Sequence, residues 1–199
     1  MIFAQSAVAL CMALPILGNV PPHESAVPWS QSAAANSEAS AIAEFMERLD
    51  LYVALHKKIE NALPKLSTEA TPEEIDKNQR AFAQLLAEAR KTAKVGDVFT
   101  PPMQVVARRL MERLFANSAS RRQLRDSVMD DNPSPASITL AVNARYPDDV
   151  PLSTMPPEVL KGLPTLPEEL EYRFVGETLI LLDPHAHVIV DYVTRALPR

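Results

Sequence analysis

What this chain has little of narrows it first. It has one cysteine, Cys11, in 199 residues. A single thiol can form no internal disulfide and no thiolate metal cage. If the segment carrying it is removed, thiol catalysis goes as well. Glycine is scarce, 4 residues against 18 prolines, so turns are stiffened by proline more often than relaxed by glycine. No glycine-rich phosphate loop, nucleophile elbow or HExxH pattern appears, and an enzymatic reading has no motif behind it. Positive charge is missing at the start, where no Lys or Arg precedes Arg48. The net charge of −5 argues against a protein devoted to nucleic acid.

Hydrophobic residues make up 47% of the chain, enough for a packed core. Ala7 to Gly18, AVALCMALPILG, is an unbroken apolar run of 12 residues. That is too short to cross a bilayer as a helix and matches the apolar region of a secretory signal. The absent positive charge and the poor cleavage region depart from that pattern. Residues 1–20 are read as signal-like, which predicts a periplasmic or secreted protein, membrane-tethered if the segment is not cleaved. After removal no stable transmembrane span is expected. Residues 21–40, PPHESAVPWSQSAAANSEAS, are rich in Pro, Ser and Ala and are expected to form a flexible, disordered linker.

From residue 41 the pattern becomes helical. Ile42, Phe45, Leu49, Tyr52, His56, Ile59 and Leu63 recur at spacings of three and four, and Pro64 ends the run. Thr71-Pro72-Glu73-Glu74 starts a second helix with a capping box, its apolar face Ile75, Phe82, Leu85, Leu86, Ala89 and Ala93. Thr100-Pro101 opens a third, through Val105, Val106, Leu110, Met111, Leu114 and Phe115. A further helical piece covers Ser120 to Met129. Asp130-Asp131-Asn132-Pro133 stops it.

After Asn132 the composition changes, and ten of the prolines fall in the last 68 residues. Ser137 to Asn143 alternates Ile138, Leu140 and Val142, which predicts a strand. One helical turn is expected at Pro157-Glu158-Val159-Leu160. Leu170 to Val193 is the densest run of strand-forming residues. Gly176-Glu177 and Asp183-Pro184-His185-Ala186 cut it into three pieces, which predicts a three-stranded antiparallel meander. The expected fold is α+β, with about three or four N-terminal antiparallel helices packed on a small C-terminal antiparallel sheet. Residues 41–199 form one domain, helical over 41–131 and Pro-rich and β over 132–199.

The stretch VNARYPDDVPLSTMPPEVLKGLPTLPEELEYRFVGETLILLD, the following IVDYV, and the upstream TPEEIDKNQRAFAQLLAEARKTAKVGDVF resemble a group of uncharacterised exported bacterial proteins over roughly residues 50–195. The resemblance implies export and this order of helices and strands, and it implies no activity. The YRFVGETLILLD…IVDYV meander is loosely similar to the β-hairpin tail of periplasmic nickel/cobalt-homeostasis proteins.

Three sets of residues could carry chemistry. His185 and His187 form a His-x-His pair beside Asp183, able to bind a divalent transition metal if the geometry closes. A type I turn accounts for Asp183 and Pro184 without a metal. Arg108, Arg109, Arg113, Arg121, Arg122 and Arg125 crowd into 18 residues and could form an anionic-ligand surface. A solvated helix face paired with nearby acids is the plainer account, and no aromatic interleaving suggests base stacking. Asp97, Asp148 and Asp149 are candidates for a hydrolase site in the loops. His56 lies on an apolar stripe and is read as a core-edge histidine. The leading expectation is an exported, non-enzymatic envelope domain with an unknown protein partner there, acting by interaction or structural support. A periplasmic metal-binding accessory protein and a hydrolase are the alternatives.

Overall fold

The computed structural model describes residues 29–116 and 118–198. The signal-like segment and Cys11 lie outside the described residues. The described chain runs α1 (Trp29–Glu60), α2 (Pro72–Ala89), α3 (Pro101–Leu114), α4 (Ser118–Met129), a 3-10 turn (Pro135–Ser137), α5 (Pro157–Gly162), then β1 (Glu171–Val175), β2 (Thr178–Asp183) and β3 (Val188–Val193). The fold is α+β, with its helices N-terminal to a small antiparallel sheet ordered β1-β2-β3.

α1 follows its stripe. Ala41, Phe45, Leu49, Tyr52, His56 and Ile59 are all buried, with Phe45 stacked on Phe99 at 5.0 Å between ring centroids. Each such fully buried apolar side chain contributes roughly 1.5–3 kcal/mol. α1 also begins earlier than the composition suggested, at Trp29, so residues 29–40 are helical where a flexible linker was expected. The reason is cooperative. Starting a helix is costly, but extending one through Ala33-Ala34-Ala35 adds a bond per residue at little cost. Glu38 anchors the extension to α3 through Arg113, 2.7 Å away.

α2 opens on the expected capping box. The Glu74 N–H donates to Thr71 Oγ1 at 3.3 Å, and the Thr71 N–H to Glu74 Oε2 at 2.8 Å. Its buried face is narrower than the apolar pattern, holding Phe82, Ala83 and Leu86 while Ile75 and Leu85 are exposed. Thr100 precedes α3 as predicted, yet its hydroxyl makes no capping bond. α1 packs on both α2 and α3.

β2 is buried at every position because both faces of the sheet are covered. Leu179 and Leu181 face the helices, whereas Ile180 and Leu182 join Ile138, Tyr146, Val175 and Ile189 in a second apolar cluster. The second cluster is roofed by the Pro-rich segment. Here one expectation fails: Ser137 to Asn143 is not a strand. Ile138, Leu140 and Val142 do alternate, and Ile138 is buried, but Asn143 adopts a left-handed φ of 64° and turns the chain. The chain meets β3 just beyond, where the Asn143 N–H donates to the Ile189 carbonyl and Arg145 forms an isolated bridge with Val188. On the far edge, the Phe174 N–H donates to Ser153 Oγ at 2.9 Å and the Gly176 N–H to Asn132 Oδ1 at 2.8 Å.

β3 pairs with β2 with a register break between Leu181 and Leu182, where Val190 is the extra residue. The bulge leaves Val190 and Asp191 both directed to the helical layer. Asp191 is fully buried and accepts the N–H groups of Gly96, Val98, Phe99 and Tyr192. It thereby pins the α2–α3 connection, in which Gly96 takes a φ of 94°.

Candidate functional site

The site is assembled where the C-terminal part of α1 meets the β2–β3 turn. Asp183 ends β2 and is wholly buried. Its Oδ1 accepts the N–H groups of His185 and Ala186, both at 2.9 Å, which is the turn role expected from Asp before Pro184. Its Oδ2 does something the turn does not require. It accepts the Tyr52 hydroxyl at 2.7 Å and lies 2.6 Å from His56 Nδ1. Tyr52 and His56 are one helical turn apart on the buried face of α1, so a single carboxylate reaches both.

The electrostatics are consistent with an ion pair. Burial pushes the Asp183 carboxyl up, but the donors from His56, Ala186 and Tyr52 outweigh it and hold the pKa below its ordinary value. Burial pushes His56 down, yet the hydrogen bond and charge of Asp183, with Glu60 and Glu169 further off, raise it overall. The Tyr52 hydroxyl is raised well above its ordinary value, by burial first and by Asp183 second, so it stays a donor. The Arg90 guanidinium lies 5.1 Å from the centre of the Tyr52 ring, and it bonds Asn143 Oδ1 at 2.7 Å and the Val190 carbonyl at 3.0 Å.

One atom of this network is left over. His56 has no exposed surface, and its Nε2 has no hydrogen-bond partner among the described residues. A Glu60 carboxylate oxygen is 4.0 Å away, too far for a hydrogen bond. The His185 ring stands 5.3 Å from the His56 ring. One ligand atom from each of His56, Glu60 and His185 lies within 4.8 Å of the others. Glu60 and His185 also line a cleft of about 420 Å³ with Lys65, Leu66, Asn78 and Phe82. His56 sits directly behind that wall.

Two imidazoles and a carboxylate are a donor set for Zn²⁺, Ni²⁺ or a similar ion. With bonds of about 2.0–2.2 Å, tetrahedral donors stand roughly 3.3–3.6 Å apart. Glu60 and His185 are exposed and can close the remaining distance by rotating, while His56 is fixed. The Nδ1 contact to Asp183 is the second-sphere carboxylate that holds a ligating histidine in the tautomer with Nε2 free.

Of the donors expected from the sequence, His185 joins this group, whereas His187 and Asp183 do not. His185 turns toward α1, whereas His187 takes a left-handed φ of 56° and points away, 3.0 Å from Asp148 and 5.6 Å from the Tyr146 ring. Asp183 is filled by four donors and supports His56 from behind. His56 and Glu60, which gather with His185, are the residues the sequence reading did not offer as donors. Their i,i+4 spacing on one helix was the available signal.

The other candidates disperse. Asp97 accepts the Lys94 N–H at 2.9 Å. Asp148 pairs with Arg80 and Arg145, and Asp149 lines a separate shallow cleft with Asp130 and Asp131. Four of the six clustered arginines tie down chain segments: Arg108 bonds the Thr194 carbonyl, Arg113 Glu38, Arg121 the Phe115 carbonyl, and Arg125 the Pro198 carbonyl and Glu177. Arg109 and Arg122 are exposed. Among the described residues no helix is long and apolar enough to cross a membrane. No protein-family model matches the chain, and neither does any curated protein or solved structure.

Proposed function

We propose that this protein is a non-enzymatic, exported bacterial accessory domain that binds a divalent transition metal through His56, Glu60 and His185. The observation that carries the reading is the buried imidazole of His56, held at Nδ1 by Asp183 and unpartnered at Nε2 beside two further donors. Export is supported by the apolar run Ala7 to Gly18 and by the resemblance to exported proteins. It is tested by the intact mass of the protein from fractionated cells. A mature periplasmic or secreted species lacking the first residues supports it, and a full-length cytosolic species overturns it.

Metal binding is tested by thermal melting of chelator-treated protein with and without Zn²⁺ or Ni²⁺. At a hundredfold excess over Kd, binding stabilises by about 2.7 kcal/mol, a rise of roughly 5–10 °C for a chain of this size. The rise is expected to vanish in Glu60→Ala/His185→Ala and to persist in His187→Ala. No rise in the parent protein sinks the reading.

A second reading has its own observation. The His56–Asp183 ion pair joins α1 to the β2–β3 turn and serves as a lock even without a metal. An envelope interaction or structural domain needs nothing more from it. A melting point indifferent to metal, with His185→Ala as stable as the parent, is the outcome that favours this reading.

A further inference from the structure

The metal reading leaves the coordination shell incomplete, and the surroundings say what completes it. Among the described residues, His56, Glu60 and His185 are the donors that converge. Among the described residues no fourth His, Cys, Asp or Glu joins them. The nearest carboxylate, Asp183, already accepts from four groups and faces the opposite nitrogen of the same imidazole. Glu169 is buried and paired with Lys57 at 2.8 Å. His187 is committed to the far side of the turn, on Asp148.

The position of the gap follows from burial. His56 approaches from the core, while Glu60 and His185 stand in the cleft wall. The remaining coordination position therefore faces the cleft. At about 420 Å³, the cleft admits a ligand of several heavy atoms as well as water. Its charge is selective. A divalent ion with two neutral imidazoles and the Glu60 carboxylate keeps one positive charge, which Asp183 behind His56 offsets from the core side, and Lys65 supplies a positive charge in the cleft wall. Leu66 and Phe82 add apolar surface to the same wall.

We propose that the metal held by His56, Glu60 and His185 binds a small oxygen-anion ligand of the carboxylate class at its open, cleft-facing position, with Lys65 as the second contact. This rests on the metal-binding reading and goes beyond it. It makes the site an exchangeable one, where metal and anion are held together, and not a closed structural centre. Three-donor sites that keep one position for an exogenous ligand are the open kind, whereas structural sites fill all four positions from the protein.

The experiment uses the full chain loaded with Co²⁺, whose visible bands report the number and kind of its ligands. Acetate and acetohydroxamate are titrated into the loaded protein. The expected result is a saturable change in the bands with both anions. Lys65→Ala is expected to weaken acetate binding several-fold while leaving Co²⁺ affinity within about twofold, since Lys65 is exposed and donates nothing to the metal. Bands that appear with Co²⁺ but do not respond to either anion at tens of millimolar overturn the open position and leave metal binding standing. A response that Lys65→Ala does not alter removes Lys65 from the site. If no bands appear, the metal reading itself fails and this proposal with it.

Discussion

Asp183 and Asp191 are the same residue type, on neighbouring strands of one sheet, both with no exposed surface and both directed at the helices. They do different work. Asp191 is surrounded by backbone: Gly96, Val98, Phe99 and Tyr192 all donate main-chain N–H groups to it. Nothing leads onward from that arrangement, which fixes one loop. Asp183 divides its lone pairs between two backbone N–H groups of its own turn and two side chains of α1. One of those side chains has a second polar end, and that end is unpartnered. A buried carboxylate satisfied by backbone closes a structure, whereas one satisfied by a histidine passes its influence to the next atom.

The strongest break of the comparison is Asp191→Ala. It strands several buried N–H donors at once, at about 1–3 kcal/mol each, so a loss of at least about 4 kcal/mol is expected in urea denaturation. Metal-induced stabilisation should survive in whatever fraction folds. A loss under about 1 kcal/mol would show that the loop finds other acceptors.

Asp183→Asn separates the two roles more sharply. It keeps an acceptor for the turn and removes the charge that faces His56. A loss of about 2–3 kcal/mol is expected, together with a 10–100-fold loss of metal affinity, the usual effect of removing a second-sphere partner. The pH profile of the metal-free protein gives the sign. The Asp183 pKa is lowered on folding, so its contribution is present above about 4 and is lost as pH falls through the folded value. The His56 pKa is raised, so its contribution is present below about 6.5 and is lost as pH rises through the folded value. The penalty of Asp183→Asn should therefore be largest between about pH 4 and 6.5 and shrink on either side. A penalty constant from pH 3 to 9 would mean the two groups are not an ion pair.

The smallest effect belongs to Tyr52→Phe, which removes one donor from Asp183 and leaves the ring in place under Arg90. About 1.5 kcal/mol is expected, with metal affinity changed far less than by Asp183→Asn. An equal loss of metal affinity in the two variants would place the hydroxyl, not the carboxylate, in control of His56.

What the sequence made legible was local. The stripe on α1, the Thr71–Glu74 capping box and the meander from Leu170 to Val193 each depend on residues within a few positions of one another, and each is present in the fold. The misreadings came from features that local pattern cannot carry. Ile138, Leu140 and Val142 alternate as a strand does, but a strand needs a partner ladder, and the left-handed Asn143 denies it one. Residues 29–40 have the composition of a linker, yet they continue a helix already made downstream. The site was the least legible part. His56 and Asp183 are 127 residues apart, and nothing in the local pattern around either points to the other. His185 and His187 look like a pair in the chain, but the left-handed φ of His187 sends them to different partners.

The two outer strands have a further consequence, for self-association. A three-stranded sheet has two edges for one interior strand, and β2 and β3 are among the most apolar stretches of the chain. Bare edges of that kind template pairing with other copies. Here neither strand relies on an internal proline or an edge lysine for protection. The β3 edge is occupied by main-chain bonds from Asn143 to Ile189, Ile189 to Ala144 and Tyr146 to His187, and by Arg90 on the carbonyl freed at the bulge. The β1 edge is met by Ser153 and Asn132. The irregular, proline-punctuated segment between the helices and the sheet thus has a role its lack of regular structure conceals. It uses up hydrogen-bonding capacity that would otherwise be offered to a neighbouring molecule, and it keeps a strongly strand-forming tail from becoming the seed of an aggregate.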